Sequence, residues 1–148
     1  MKTIYQYTQK GFLMLSILGA STLLLAILTV KMHGQWMGIA LLALISLSLY
    51  LFSSLTSSVT DKYVKIWFGP GIIHKTFYLK DIESTCITKT PWYYGWGIRG
   101  IKGGLLFNVS GFYSVELQMK NGKIYSIGTD EPEKLKEAIL SAMSHIKQ

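Results

Sequence analysis

The chain has 148 residues, a formal charge of +7 and one cysteine. That length allows one small domain, and a lone Cys86 excludes an intramolecular disulfide and any multi-cysteine metal site. Residues 56–148 carry twelve basic and eight acidic side chains, with Lys2, Lys10 and Lys31 supplying the remaining basic charge. So mild an excess speaks against a nucleic-acid partner and suits anionic lipid, where each nearby Lys or Arg contributes about 1 kcal/mol.

Residues 1–10 read as a short tail with Tyr5 and Tyr7 suited to a headgroup region. From Gly11 to Leu55, Lys31 is the only full charge. Two apolar runs, Phe12 to Val30 and Trp36 to Leu55, flank the polar break Lys31-Met32-His33-Gly34-Gln35. At about 1.5 Å per residue each run covers roughly 30 Å, the hydrocarbon thickness of a bilayer, so residues 11–55 are expected to form a two-helix transmembrane hairpin. A cleaved signal peptide is the competing reading, but its apolar region usually runs to about 7–15 residues, and here a second span follows at once. Lys2, Lys10 and the terminal amine before the hairpin, and Lys62 and Lys65 after it, outweigh Lys31 in the turn. Both termini and the following domain are therefore expected in the cytoplasm. Small residues in the spans, Ser16, Gly19, Ala20 and Ser21 in one and Gly38, Ala40, Ala43 and Ser46 in the other, offer close helix packing within the hairpin or in a dimer. Neither span holds an Asp, Glu, Lys or Arg, which argues against a transporter working alone.

Residues 56–148 begin with a polar linker, Thr56-Ser57-Ser58. Val64, Ile66 and Phe68 then alternate with Tyr63, Lys65 and Trp67 as a half-buried strand that ends at Gly69-Pro70-Gly71. Further strands are expected over Ile72–Leu79, Ile82–Thr90 and Leu105–Val109. Around Val115, Leu117 and Met119 another strand turns through Asn121-Gly122, the pair favoured in two-residue hairpins, into Lys123–Ile127. Asp130 with Glu133 has capping-box spacing. The stripe Leu135, Ala138, Ile139, Ala142, Met143 and Ile146 predicts a final amphipathic helix packed on the sheet. The fold class is α+β: six or seven strands in a bent antiparallel sheet or barrel, capped by one helix.

Pro91-Trp92-Tyr93-Tyr94-Gly95-Trp96-Gly97-Ile98-Arg99, Asn108-Val109-Ser110-Gly111, Val115-Glu116-Leu117 and Ile127-Gly128-Thr129-Asp130-Glu131-Pro132 resemble small bacterial membrane proteins with a pleckstrin-homology-like domain, over about residues 60–146. The resemblance implies a seven-stranded, strongly bent sheet in two near-orthogonal halves, one end covered by the last helix. It implies no activity. Related domains often hold phosphoinositides through basic residues in the first hairpin loop. Here only Lys65, His74 and Lys75 flank Gly69-Pro70-Gly71, so that site is not carried over.

Gly95, Gly97 and Gly100 have GxGxxG spacing, but Ile101-Lys102-Gly103-Gly104 does not begin the helix that a dinucleotide site requires. Asn108-Val109-Ser110 fits a glycosylation acceptor by accident, within a strand on the cytoplasmic side. His33, His74 and His145 form no readable metal cluster, Cys86 reads as a small buried hydrophobe, and no serine sits in a nucleophile elbow. No cofactor, metal or catalysis is expected. The remaining candidates are Trp92, Tyr93, Tyr94 and Trp96 with Arg99 and Lys102. They cover one sheet end with Arg99 paired to a carboxylate, or rest among headgroups with Arg99 and Lys102 on phosphates, or form a hot spot for a ligand or a protein, the protein being a membrane partner or a second copy. Arg99 is expected to be structural and Lys102 exposed. The functional expectation is a membrane-anchored binding or scaffolding module at the inner leaflet. The alternatives are an accessory subunit of a larger membrane assembly and a membrane-surface enzyme.

Overall fold

The computed structural model describes residues 2–31 and 36–146. The expected turn residues Met32, His33, Gly34 and Gln35 lie outside these. Among the described residues the fold is α+β, with nine strands in two sheets, an N-terminal pair of helices and a C-terminal helix. The first sheet runs in the order β1-β2-β3-β4, formed by Thr3–Lys10, Ser54–Thr60, Tyr63–Phe68 and His74–Tyr78. The second runs β5-β8-β9-β7-β6, formed by β5 Ile82–Lys89, β6 Gly97–Ile101, β7 Gly104–Asn108, β8 Tyr113–Met119 and β9 Ile124–Gly128. Helices α1 (Phe12–Lys31) and α2 (Trp36–Leu51) precede β2, and α3 (Pro132–Ile146) closes the chain.

The expected tail is β1. It pairs antiparallel with β2 from Thr3 opposite Thr60 to Lys10 opposite Ser54, so the two apolar helices are inserted into a hydrogen-bonded hairpin. Tyr5, Tyr7 and Gln9 point inward on alternate positions and leave Gln6, Thr8 and Lys10 exposed. The expected linker Thr56-Ser57-Ser58 is the middle of β2, a strand flanked on both sides and buried along its length from Leu55 to Thr60. Its small hydroxyl residues fit the crowded position, and Thr56 bonds Thr8 across the ladder at 2.9 Å. The connection to the helices is short: Gly11 donates its N–H to the Ser53 carbonyl at 2.9 Å.

Among the described residues one helix, α1, is long and apolar enough to cross a membrane, with 20 residues, and α2 is shorter at 16. They pack along each other. Leu15, Leu18, Gly19, Thr22, Leu25, Ala26 and Thr29 are the half-buried positions of α1, spaced by three and four residues, while Ser16, Ala20, Ser21, Ala40, Ala43 and Ser46 are exposed. Of the small residues expected to mediate packing, Gly38 lies against the Thr29 side chain and Gly19 is half-buried. The 3–4 spacing makes a continuous stripe of large and small side chains. Hydroxyls on these helices bond carbonyls four residues back, as Ser16, Ser21, Thr22, Thr29 and Ser48 do, so each satisfies its proton without water.

The core lies between the sheets and α3. Val59, Val64, Ile66 and Phe68 meet Phe107, Val115, Leu117 and Ile127, and Leu135, Ala138, Ile139 and Ala142 of α3 seal them. The alternation expected in β3 and the stripe expected in α3 hold, although Ile146 is exposed. The two-residue hairpin expected at Asn121-Gly122 is a three-residue loop: Gly122 N–H reaches the Met119 carbonyl and Met119 N–H the Lys123 carbonyl. Gly122 takes a φ of 82°, the left-handed value that a bulged hairpin asks of its last loop residue.

Six or seven antiparallel strands were too few. Strands β1, β2 and β6 are additional, and β7 runs parallel to β9, which a wholly antiparallel sheet does not contain. Gly104 permits that pairing, since a Cβ there would strike the Ile124 carbonyl. Asp130 does not use its carboxylate on the helix start. It accepts the Gln9 side-chain amide at 2.8 Å, and the same amide donates to the Ser110 carbonyl. Next to it Tyr5 donates to Glu131 at 3.3 Å, and Glu131 pairs with Lys134. Burial, then the Glu131 charge and its hydrogen bond, push the Tyr5 hydroxyl well above the ordinary tyrosine value. Burial followed by Asp130 and Glu131 moves Tyr7 upward too. First strand and last helix are thereby clasped together.

Candidate membrane-interface site

Pro91 ends β5 and leads into one 3-10 turn, Trp92–Tyr94, from which the chain enters β6 at Gly97. The glycines of the GxGxxG spacing thus open a strand, and no helix begins there. The rings in this connection stack edge to face, with Trp92 and Tyr93 centroids 6.1 Å apart and Tyr93 and Tyr94 5.1 Å apart. Trp92 is 80% exposed and Tyr93 67%.

This aromatic connection sits beside the root of the helix pair. Trp92 and Trp96 line a cleft of about 260 Å³ together with Leu13, Ile17 and Phe112. Trp96, Ile98 and Arg99 border a second cleft against Met14, Leu18 and Phe52. The rings therefore flank roughly the first two turns of α1. Phe112 and Tyr113, both 49% exposed, share a further apolar groove with Trp92 and Tyr93. Sequence reading missed these two aromatics; the signal available was a glycine turn followed by two adjacent rings, Gly111-Phe112-Tyr113.

Arg99 makes no ion pair among the described residues, contrary to expectation. Arg99 lies exposed on edge strand β6, and its Nε donates to the Trp96 carbonyl at 3.1 Å. Among the described residues the one ion pair is Lys134–Glu131. Lys102 is exposed at the β6–β7 turn, as expected. The six candidates do not form a single patch. Trp92, Tyr93 and Trp96 face the helix root or its neighbouring groove, Arg99 borders the second helix-root cleft, and Tyr94 and Lys102 turn to a different cavity on the outer face of the second sheet.

That outer face is itself covered. Register aligns Cys86, Glu116, Ser126, Leu106 and Arg99 across the five strands. Leu106, 1% exposed, stands apart from the core cluster. Thr90, Ser114 and Ser126 are buried near it, and Thr90 donates to the Ser114 hydroxyl at 3.1 Å. Cys86, expected to be buried, is exposed at the start of this row because its strand lies at the sheet edge. Asn108 is buried, its Oδ1 accepting the Ser110 N–H at 3.2 Å. His74 is exposed with Nδ1 against the Gly71 carbonyl, and His145 is exposed near the end of α3. Among the described residues no three His, Cys, Asp or Glu side chains come together as a metal site.

No protein-family model matches the chain, and comparison with curated proteins and with solved structures finds no significant similarity.

Proposed function

We propose that this chain is a membrane-anchored binding or scaffolding module in which α1 and α2 form a two-pass hairpin and the two-sheet domain is seated on the cytoplasmic leaflet. The carrying observation is the cleft shared by Trp92, Trp96 and Phe112 with Leu13 and Ile17. Exposed Trp and Tyr beside the first turns of an apolar helix match the amphipathic rings that collect at headgroup depth. The apolar surface outside the seam, including Phe12, Leu23, Leu24, Val30, Trp36 and Ile39, far exceeds what a water-exposed domain carries.

The ladder between β1 and β2 supports two crossings. A chain that leaves the sheet at Lys10 and re-enters it at Ser54 must return to the side it left. The 16 residues of α2 cover about 24 Å, a few ångströms less than the usual hydrocarbon thickness, which local thinning of the bilayer accommodates. The basic residues on either side of the hairpin favour a cytoplasmic domain.

The test uses the full chain in bilayers, with Trp36→Phe and Trp67→Phe so that Trp92 and Trp96 report alone. Lipids brominated near the headgroup end of the acyl chain should quench these two more strongly than lipids brominated near the chain terminus. Absence of quenching by either lipid would show that the rings stay in water and would overturn the seating.

A further inference from the structure

The outer-face cavity between the aromatic connection and the second sheet carries both signs of charge. It measures about 180 Å³ and is lined by Lys89, Lys102, Glu116, Ser126, Tyr94 and Leu106, among others. That is room for several waters or one small polar group. It is well below the roughly 300 Å³ at which pockets for drug-sized molecules begin.

The charged groups around it form no ion pair among the described residues. Glu116 pairs with neither lysine, since Lys134–Glu131 is the one ion pair among the described residues. The hydroxyls deeper in the wall are organised, with Thr90 bonded to Ser114 and Ser114 to the Thr88 carbonyl. The Glu116 and Ser126 positions are fixed by strand register in the middle of the sheet. Carboxylate and ammonium groups that line one small cavity without pairing are complementary to a ligand that carries both charges. A phosphate suits the lysines, and a primary ammonium, with three donors, suits a carboxylate and a hydroxyl. A quaternary ammonium would need several aromatic faces, whereas Tyr94 is the one ring in this lining.

We infer that this cavity binds a phosphate–primary ammonium zwitterion, the chemistry of an ethanolamine phospholipid headgroup or of free phosphoethanolamine, with the ammonium on Glu116 and the phosphate toward Lys89 and Lys102. The inference deepens the membrane-seated reading and rests on it for the lipid source. The cavity and the helix-root cleft both include Pro91 in their walls, so the two are adjacent across the same connection.

The experiment follows thermal unfolding of the detergent-solubilised full chain during titration with three probes: a short-chain phosphatidylethanolamine, the phosphatidylcholine of the same chains, and phosphoethanolamine. The ethanolamine lipid should raise the melting temperature saturably while the choline lipid does not. Glu116→Gln should weaken that response about tenfold, the loss expected of one charge-assisted hydrogen bond, and Glu137→Gln on the exposed face of α3 should leave it unchanged. A response to phosphoethanolamine equal to that of the lipid assigns a soluble source, and a response to the lipid alone assigns the bilayer; either supports the chemistry. Equal responses to ethanolamine and choline lipids, or an unaltered response in Glu116→Gln, would overturn it. Because no bilayer is present, such a failure leaves the quenching result intact, and the reverse also holds.

Discussion

Tyr5 sits where the first strand meets the start of the last helix, and the fold keeps its hydroxyl protonated as a donor to Glu131. Its pKa is raised by burial first and by the Glu131 carboxylate second. On raising the pH, the unfolded chain therefore loses this proton before the folded chain does. The stability from Tyr5 is complete below about pH 10, the ordinary tyrosine value, and declines as pH climbs from there toward the folded value. Tyr5→Phe should flatten this alkaline decline and cost about 1 kcal/mol at neutral pH for the lost hydrogen bond. Melting of the full chain in detergent between neutral pH and about pH 11 checks both. Tyr7, moved upward by burial and then by Asp130 and Glu131, and Lys134, moved upward by its hydrogen bond to Glu131, act in the same direction, so a smaller slope persists in the variant. An unchanged profile would show that the clasp does not depend on Tyr5.

At the scale of elements, α3 carries the clearest contrast between its faces. Ile139 is fully buried while Lys136 is half-buried on the flank. Ile139→Asp should bury an unpaired charge and cost several kcal/mol, whereas Lys136→Asp should be nearly silent. Resistance to proteolysis of the full chain in detergent separates the two, and equal resistance would show that the stripe is not core. This helix was legible because its period is unambiguous, as was β3 with Val64, Ile66 and Phe68 against Tyr63, Lys65 and Trp67. Strand β2 was not, because Ser54-Leu55-Thr56-Ser57-Ser58-Val59-Thr60 reads as a polar segment. Hydroxyls that bond across a ladder can be buried where a charge cannot, and hydropathy does not record that difference. Strand β6 was hidden by its glycines. Of the site, Trp92, Tyr93 and Trp96 were legible as a cluster, but their position beside Leu13 and Ile17 depends on a tertiary approach between residues some eighty apart in the sequence. Arg99 was misjudged for the same reason, since no carboxylate could be located before the strands were placed.

For the whole molecule, orientation is the property to test. With Cys86, which is exposed, replaced by Ser, a cysteine introduced at Gly34 should be labelled by an impermeant reagent from outside the cell. One at Asn121, in the exposed β8–β9 loop, should require permeabilised cells. The opposite pattern would reverse the topology, and labelling of both from outside would contradict a cytoplasmic domain.

The position of α1 and α2 between β1 and β2 also fixes an order of events during synthesis. Strand β1 leaves the ribosome first, yet its hydrogen-bonding partner is not made until both apolar helices have followed. A nascent chain thus carries an unpaired strand directly ahead of two apolar helices, and the first sheet cannot close until both have been made and β2 has followed. Closure of the first sheet is therefore late, and until β2 arrives β1 is an open strand edge exposed to mispairing.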